Sequence, residues 1–241
     1  MTDRTVLALT GADRTDFLQG LVTNDITRDG LVYCALLTPQ GKYIADFFTW
    51  AEDDRILIDV ASSHAPTLAQ RLNMYRLRAD VQIAESGLIA SRGTAEPPKG
   101  VLEDPRHPAL GWRSYGDTSV GDDTDWDALR VAHCVPETGV ELTPDTYILE
   151  AGFERLHGID FRKGCYVGQE IAARMKHKTQ LRKGLRTVAI NGAAPVGTDI
   201  MAGEKPAGTL FTQSGGQAIA YLRFDRAVGD MTAGTATITL P

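Results

Sequence analysis

The chain is expected to fold as an α+β protein that ends in a small β-barrel or sandwich. Two features of the sequence point there. Up to residue 83, short apolar strands return in hairpins with single helices between them, rather than alternating with helices as in a doubly wound sheet. Beyond Leu181, short β-branched segments are divided by glycines at regular intervals with few helix signals.

Each element has a local cause. Residues 5–9 read as a strand, after which Thr10-Gly11-Ala12-Asp13 forms a capping-box-like start to a helix carrying Phe17, Leu18 and Leu21 at helical spacing. Gly20 is placed to end that helix. Residues 31–38 are a buried strand, and Pro39-Gln40-Gly41-Lys42 is a turn in which proline sets φ and glycine accepts a positive one. Strands follow at 43–50 and 55–60, separated by Glu52-Asp53-Asp54, then a helix at 66–76 and a strand at 77–83. Residues 96–127 are rich in Pro, Gly and acids but include Trp112 and Tyr115, so they read as loops around short strands. Asp125 caps a helix over 126–135, and further helices are predicted over 145–156 and 169–178. The barrel strands are expected at 184–190, 217–224 and 232–240.

Composition limits the functions available. The 241 residues suffice for one large domain or two small ones. A net charge of −6 argues against a general nucleic-acid or anionic-membrane binder. No apolar run approaches the ~18 residues of a membrane span, and the start, Met1-Thr2-Asp3-Arg4, lacks the apolar core of a secretory signal, so the chain reads as cytoplasmic. Cys34, Cys134 and Cys165 are widely spaced and odd in number, which argues against a disulfide framework or a zinc site. Cys34 and Cys134 lie in apolar runs and read as core residues. A cluster or iron atom would need outside ligands, because three thiols cannot enclose one. The five histidines show no ligand spacing.

The most informative stretch is Lys163-Gly164-Cys165-Tyr166-Val167-Gly168-Gln169-Glu170. It sets a thiol among cations, with Arg162 and Lys163 before it and Arg174, Lys176 and Lys178 after it, and such neighbours favour the thiolate. Cys165 is either a reactive thiol or an inert small hydrophobe. Glu150, on the apolar segment Tyr147-Ile148-Leu149-Glu150-Ala151-Gly152, either faces solvent or points into a pocket where a carboxylate could accept two N–H donors. Asn24 and Asp25 either meet a ligand or cap the next turn. Arg174, Lys176, Lys178, Arg182, Lys183 and Arg186 form a basic block that either steers an anion or acidic partner or is a solvated face.

These segments resemble a known family. The octet is similar to the Lys-Gly-Cys-Tyr-x-Gly-Gln-Glu signature of the YgfZ-type folate-binding proteins, relatives of the glycine-cleavage T-protein that are linked to iron–sulfur cluster maintenance. Phe17-Leu18-Gln19-Gly20 with Thr23-Asn24-Asp25, the run 75–81 and the segment 130–136 extend the resemblance over nearly the whole chain. It implies a ring of T-protein-type α/β subdomains with a C-terminal barrel, divided as a folate-binding region of two intertwined α+β subdomains over 1–170 and the barrel over 171–241, and tetrahydrofolate or a derivative as cofactor. Glu150 would hold the pterin, with Asn24 and Asp25 beside it. Cys165 and Lys163 would carry the chemistry, and Tyr166, Gln169 and Glu170 would shape the site. Folate and iron–sulfur assembly proteins or client enzymes are the implied partners. The sequence departs from the T-protein at Gly41-Lys42-Tyr43-Ile44-Ala45-Asp46, where that family carries two adjacent aspartates. Ala45 has no proton to exchange, which counts against aminomethyl transfer unless Asp46 takes the role. One-carbon transfer and a ligand-free binding module remain the alternatives.

Overall fold

The computed structural model describes residues 3–178 and 180–240, and the chain forms two compact units. The first comprises Met1–Thr124 and Phe153–Ala173, the second Asp125–Gly152 and Arg174–Pro241.

In the first unit, β1 (Arg4–Thr10) leads through α1 (Arg14–Gln19) to three antiparallel strands, β2 (Leu31–Leu37), β3 (Tyr43–Ala51) and β4 (Arg55–Ala61). Helix α2 (Ala65–Arg76) and β5 (Gln82–Glu85) complete a five-stranded sheet in the order β2-β3-β4-β1-β5. A second, three-stranded sheet has the order β6 (Ile89–Gly93), β8 (Trp112–Gly116), β7 (Leu102–Glu103).

The alternation of strand side chains sorts the large sheet into two unlike faces. On one, Leu7, Leu9, Cys34, Leu36, Ala45, Phe47, Ile58 and Val60 pack with Leu18 of α1 and with Leu68 and Leu72 of α2. Cys34 is fully buried there, and burial pushes its thiol well above the usual range. On the other face, Tyr33, Phe48 and Asp59 sit opposite one another in register. All seven residues of β2 are buried, because both faces of the sheet are covered.

In the second unit, α3 (Trp126–Ala132) is capped by the Asp125 carboxylate, which accepts from Ala128 N at 3.0 Å. Helix α4 (Gln169–Lys178), which begins in the first unit and ends in the second, has the bounds its sequence predicts. After it, six strands close into a barrel in the order β10 (Asp199–Ala202), β11 (Lys205–Ser214), β12 (Gln217–Arg223), β9 (Lys183–Asn191), β14 (Ala236–Thr239), β13 (Met231–Ala233). Val188, Ile190, Ile200, Leu210, Leu222, Met231 and Ile238 fill it. The α+β class and the terminal barrel are as expected.

Several local expectations are corrected. Residues 145–156 form successive turns instead of a helix: Gly152 takes φ +82° and His157 φ +54°, and bonds such as Glu150 N to Tyr147 O close short turns rather than a continuing ladder. The strand expected at 77–83 begins only at Gln82, because Leu77 leaves α2 at φ +44°. The strand expected at 232–240 is a hairpin turned at Gly234, and β6, β10 and β11 were not foreseen. Asp13 makes no capping bond within α1; its carboxylate accepts from Asp80 N at 2.7 Å instead. Cys134 is half-buried at φ +50°, past the end of α3, rather than in the core.

Candidate functional site

The octet joins the first unit's core to α4, and its residues divide between anchors and an exposed tip. Lys163 is buried. Its Nζ donates to Gln19 O and Val22 O, each at 2.6 Å, at the C-terminal end of α1, where a cation meets unpaired carbonyls. It also lies 5.2 Å from the Tyr166 ring centroid. Burial lowers the Lys163 amine to about 8, opposed by the charges of Asp25 and Asp160. Tyr166 is buried as well, and its hydroxyl has no hydrogen-bond partner among the described residues.

Gly168 is a contact point. At φ +84°, a Cβ there would fall 2.6 Å from Thr38 O and 3.0 Å from Leu37 Cβ. The octet therefore seats backbone to backbone on the β2–β3 turn. Cys165 is exposed, alone among the three cysteines, and Gly164 beside it has open space around it. Gln169 and Glu170 open α4, where an exposed carboxylate favours the helix N-terminus.

The loop after α1 is locked by its own side chains. Thr23 Oγ1 donates to Gly158 O and accepts from Ala35 N. Asn24 is buried; its Nδ2 donates to Tyr33 O and His157 O, and its Oδ1 accepts from Asp25 N. Its amide is thus committed to the protein. Asp25 Oδ1 accepts from Gln19 Nε2, Thr27 N and Thr27 Oγ1, and the Thr27 hydroxyl leads in holding this carboxyl below its ordinary range. Lys163 ties this loop to the octet, so the structure brings together Asn24, Asp25, Lys163 and Tyr166.

Glu150 belongs to the second unit. Its Oε2 accepts from the Tyr221 hydroxyl of β12 at 2.6 Å, and its backbone oxygen accepts from Leu185 N of β9. Burial, reinforced by Glu150, raises the Tyr221 phenol above its usual range. In the basic block Arg174, Lys176, Arg182 and Arg186 are exposed, with the Arg186 guanidinium 4.5 Å over the Phe224 ring. The Lys178 side chain lies outside the described residues.

One constellation was not anticipated. On the second face of the large sheet, Asp59 accepts from Arg4 Nε at 2.6 Å, Arg113 at 2.9 Å and the Tyr115 hydroxyl at 3.1 Å. Asp104 takes Arg106 at 2.8 Å and Arg113 at 3.0 Å. The Arg113 and Arg106 guanidiniums lie 3.9 and 4.8 Å from the Phe48 ring centroid. Burial alone would raise both carboxyls, but the arginines outweigh it and hold them low. The alternation Asp46-x-Phe48 and Arg113-x-Tyr115 was the available signal, since it places charge on one face of each strand. Asp46 belongs to this face and accepts from the Tyr33 and Tyr43 hydroxyls at 3.0 and 2.7 Å, whereas Ala45 faces the apolar core. An aspartate at 45 would be buried among hydrocarbons, so any counterpart of the T-protein carboxylate falls at 46.

The donor set matches a folate in part. Among the described residues, Tyr221 bonds Oε2 of Glu150, and Oε1 could accept a pterin N–H. Asn24 does not fit, because protein groups use its amide. A cleft of about 840 Å³ in the first unit, walled by Asp29, Pro97, Val101, Asp104, Trp112 and His157, contains none of the residues predicted from sequence. No group of three or more His, Cys, Asp or Glu side chains could hold a metal among the described residues.

Comparison with known proteins follows these features. Residues 182–241 match the family model of the CAF17 C-terminal β-barrel domain. The chain is 30% identical over 235 residues to the mitochondrial iron–sulfur cluster assembly factor IBA57 homolog of Phaeosphaeria nodorum, covering 84% of this chain and 58% of that protein. It is 29% identical to the Mycosarcoma maydis homolog (75% and 54%) and 27% identical to human IBA57 (98% and 74%). The chain thus spans little more than half the length of the fungal relatives. These relatives are mitochondrial by name, which overturns the cytoplasmic placement. Aminomethyltransferase T of the glycine cleavage system from Bartonella henselae superposes with a TM-score of 0.77 over 98% of this chain and 82% of that one, at 13% identity, a likeness of fold alone. Its C-terminal barrel matches that of CAF17, its sequence is similar to IBA57 along most of its length, and its fold is that of aminomethyltransferase T.

Proposed function

We propose that this protein acts in iron–sulfur cluster assembly, presenting Cys165 to iron or a nascent cluster while a reduced folate binds at Glu150. The observation that carries the reading is the contrast within the octet. Lys163, Tyr166 and Gly168 are spent on anchoring, while Cys165 stands exposed at the tip of the segment they hold. One thiolate cannot hold a cluster, so the remaining ligands come from an assembly protein or client enzyme. The names of the relatives support the pathway. Glu150, oriented by Tyr221, accepts a pterin N–H through Oε1. Bound tetrahydrofolate would supply a one-carbon or reducing group. Aminomethyl transfer is less well supported, because Asp46 is buried and its two oxygens each accept from a tyrosine hydroxyl.

The test pairs two measurements. Cells deprived of the protein should lose 4Fe–4S enzyme activity, restored by the intact chain, and the purified chain should bind tetrahydrofolate in calorimetry with at least tenfold loss in Glu150→Gln. Undiminished cluster-enzyme activity in deprived cells contradicts the pathway. Folate binding unaltered by Glu150→Gln removes the assigned site.

A further inference from the structure

We propose that the tip formed by Leu77 and the arginines around it is a docking knob for an acidic partner protein. Leu77 is 90% exposed, and its backbone stands at φ +44°, ψ −101°. With Ala79 N donating to Arg76 O, it occupies the second position of a type II′-like turn, which glycine favours. A leucine there gains nothing from burial and bears backbone strain. The turn is held from outside: Asp80 N donates to the Asp13 carboxylate, Ala12 N donates to the Asp80 carboxylate, and Asp13 N donates to Asp80 O. The fold therefore maintains a strained, solvent-facing leucine that its own stability does not explain, and such strain is kept where a site uses it.

The surroundings indicate what the knob meets. Met74, one helical turn before Leu77, is 61% exposed. Arg71, Arg76 and Arg78 are exposed around the pair. Arg76 gives one nitrogen to Val81 O, and the one acid in the run 71–81, Asp80, is engaged with Ala12 N. Against the carboxylates of Asp80 and Asp13 that brace the turn, these three cations leave the tip net positive on a chain of net charge −6. An apolar knob ringed by arginines fits a socket with an acidic rim, since arginine anchors and electrostatic complementarity are features of specific protein interfaces. A membrane surface would call for a broader apolar face than two side chains.

The experiment combines stability with cross-linking. Leu77→Gly should melt at the same temperature as the native chain or higher; a clear fall would make the leucine structural and overturn the proposal. Leu77→p-benzoylphenylalanine in cells should give one protein adduct whose cross-linked peptide is rich in Asp and Glu. The yield should drop at least tenfold when Arg71→Glu and Arg78→Glu are added. No adduct beyond that from the exposed control position Val196, an adduct to lipid or to a second copy, or a yield indifferent to charge reversal would each overturn it. None of these readouts passes through cluster chemistry or folate, so the proposal stands or falls separately from the proposed function.

Discussion

Lys163 holds the octet through carbonyl oxygens, and that makes it sensitive to both substitution and pH. Lys163→Met keeps the stem but strips Gln19 O and Val22 O of their buried donor, at a cost of about 1–3 kcal/mol. Chemical denaturation at neutral pH checks this. With the amine lowered to about 8 in the folded chain and near ~10.4 when unfolded, the unfolded state holds more protons between those values. Folding stability from this group then rises as pH climbs through that window, and an NMR titration of Lys163 should show a midpoint near 8. The octet was legible as a motif because its residue types are unusual together. The role of its lysine was not, because the acceptors lie more than 140 positions away. The bonding of Asn24 was hidden for the same reason: His157 O, which accepts from its amide, is 133 residues distant.

Elements depend on how closely they approach one another. Gly168 and Gly30 share a positive φ, +84° and +80°, but only Gly168 has backbone against its missing Cβ. Gly168→Ala should therefore destabilise the chain by more than Gly30→Ala, which bears only the conformational cost of about 1 kcal/mol; paired thermal melts measure the difference. The charged face of the large sheet is the second such dependence. Arg113→Met leaves Asp59 and Asp104 each short of a cation, at a cost of roughly 3–5 kcal/mol. Both carboxyls are held low in the folded chain, so their contribution is present above the unfolded value of about 3.9 and is lost as pH falls through the folded ones. The acid limb of a stability–pH curve should accordingly be flatter in Arg113→Met. Strands 31–38, 43–50 and 55–60 could be read from sequence because apolar runs and turn residues mark them locally. The helix expected at 145–156 failed because its apolar spacing is helical while Gly152 and His157 take backbone angles that end one.

At the scale of the whole molecule, glycine punctuation marked a barrel or sandwich, and closure into a barrel was not legible, since β9 must pair with both β12 and β14 to complete it. Function was legible in outline only. The octet pointed to YgfZ-type relatives of the T-protein, while the similarities found are to CAF17 and IBA57; the buried arginine–aspartate face emerges once four strands and a loop converge. The proposed function requires that the anchored octet present Cys165 for cluster chemistry. The most direct measurement is 4Fe–4S enzyme activity in cells whose native copy is replaced by Cys165→Ser, with protein abundance confirmed. The account predicts a fall of at least tenfold at normal abundance, because an exposed Cys→Ser change costs little stability. Activity equal to that of the native chain would contradict it and leave Cys165 incidental.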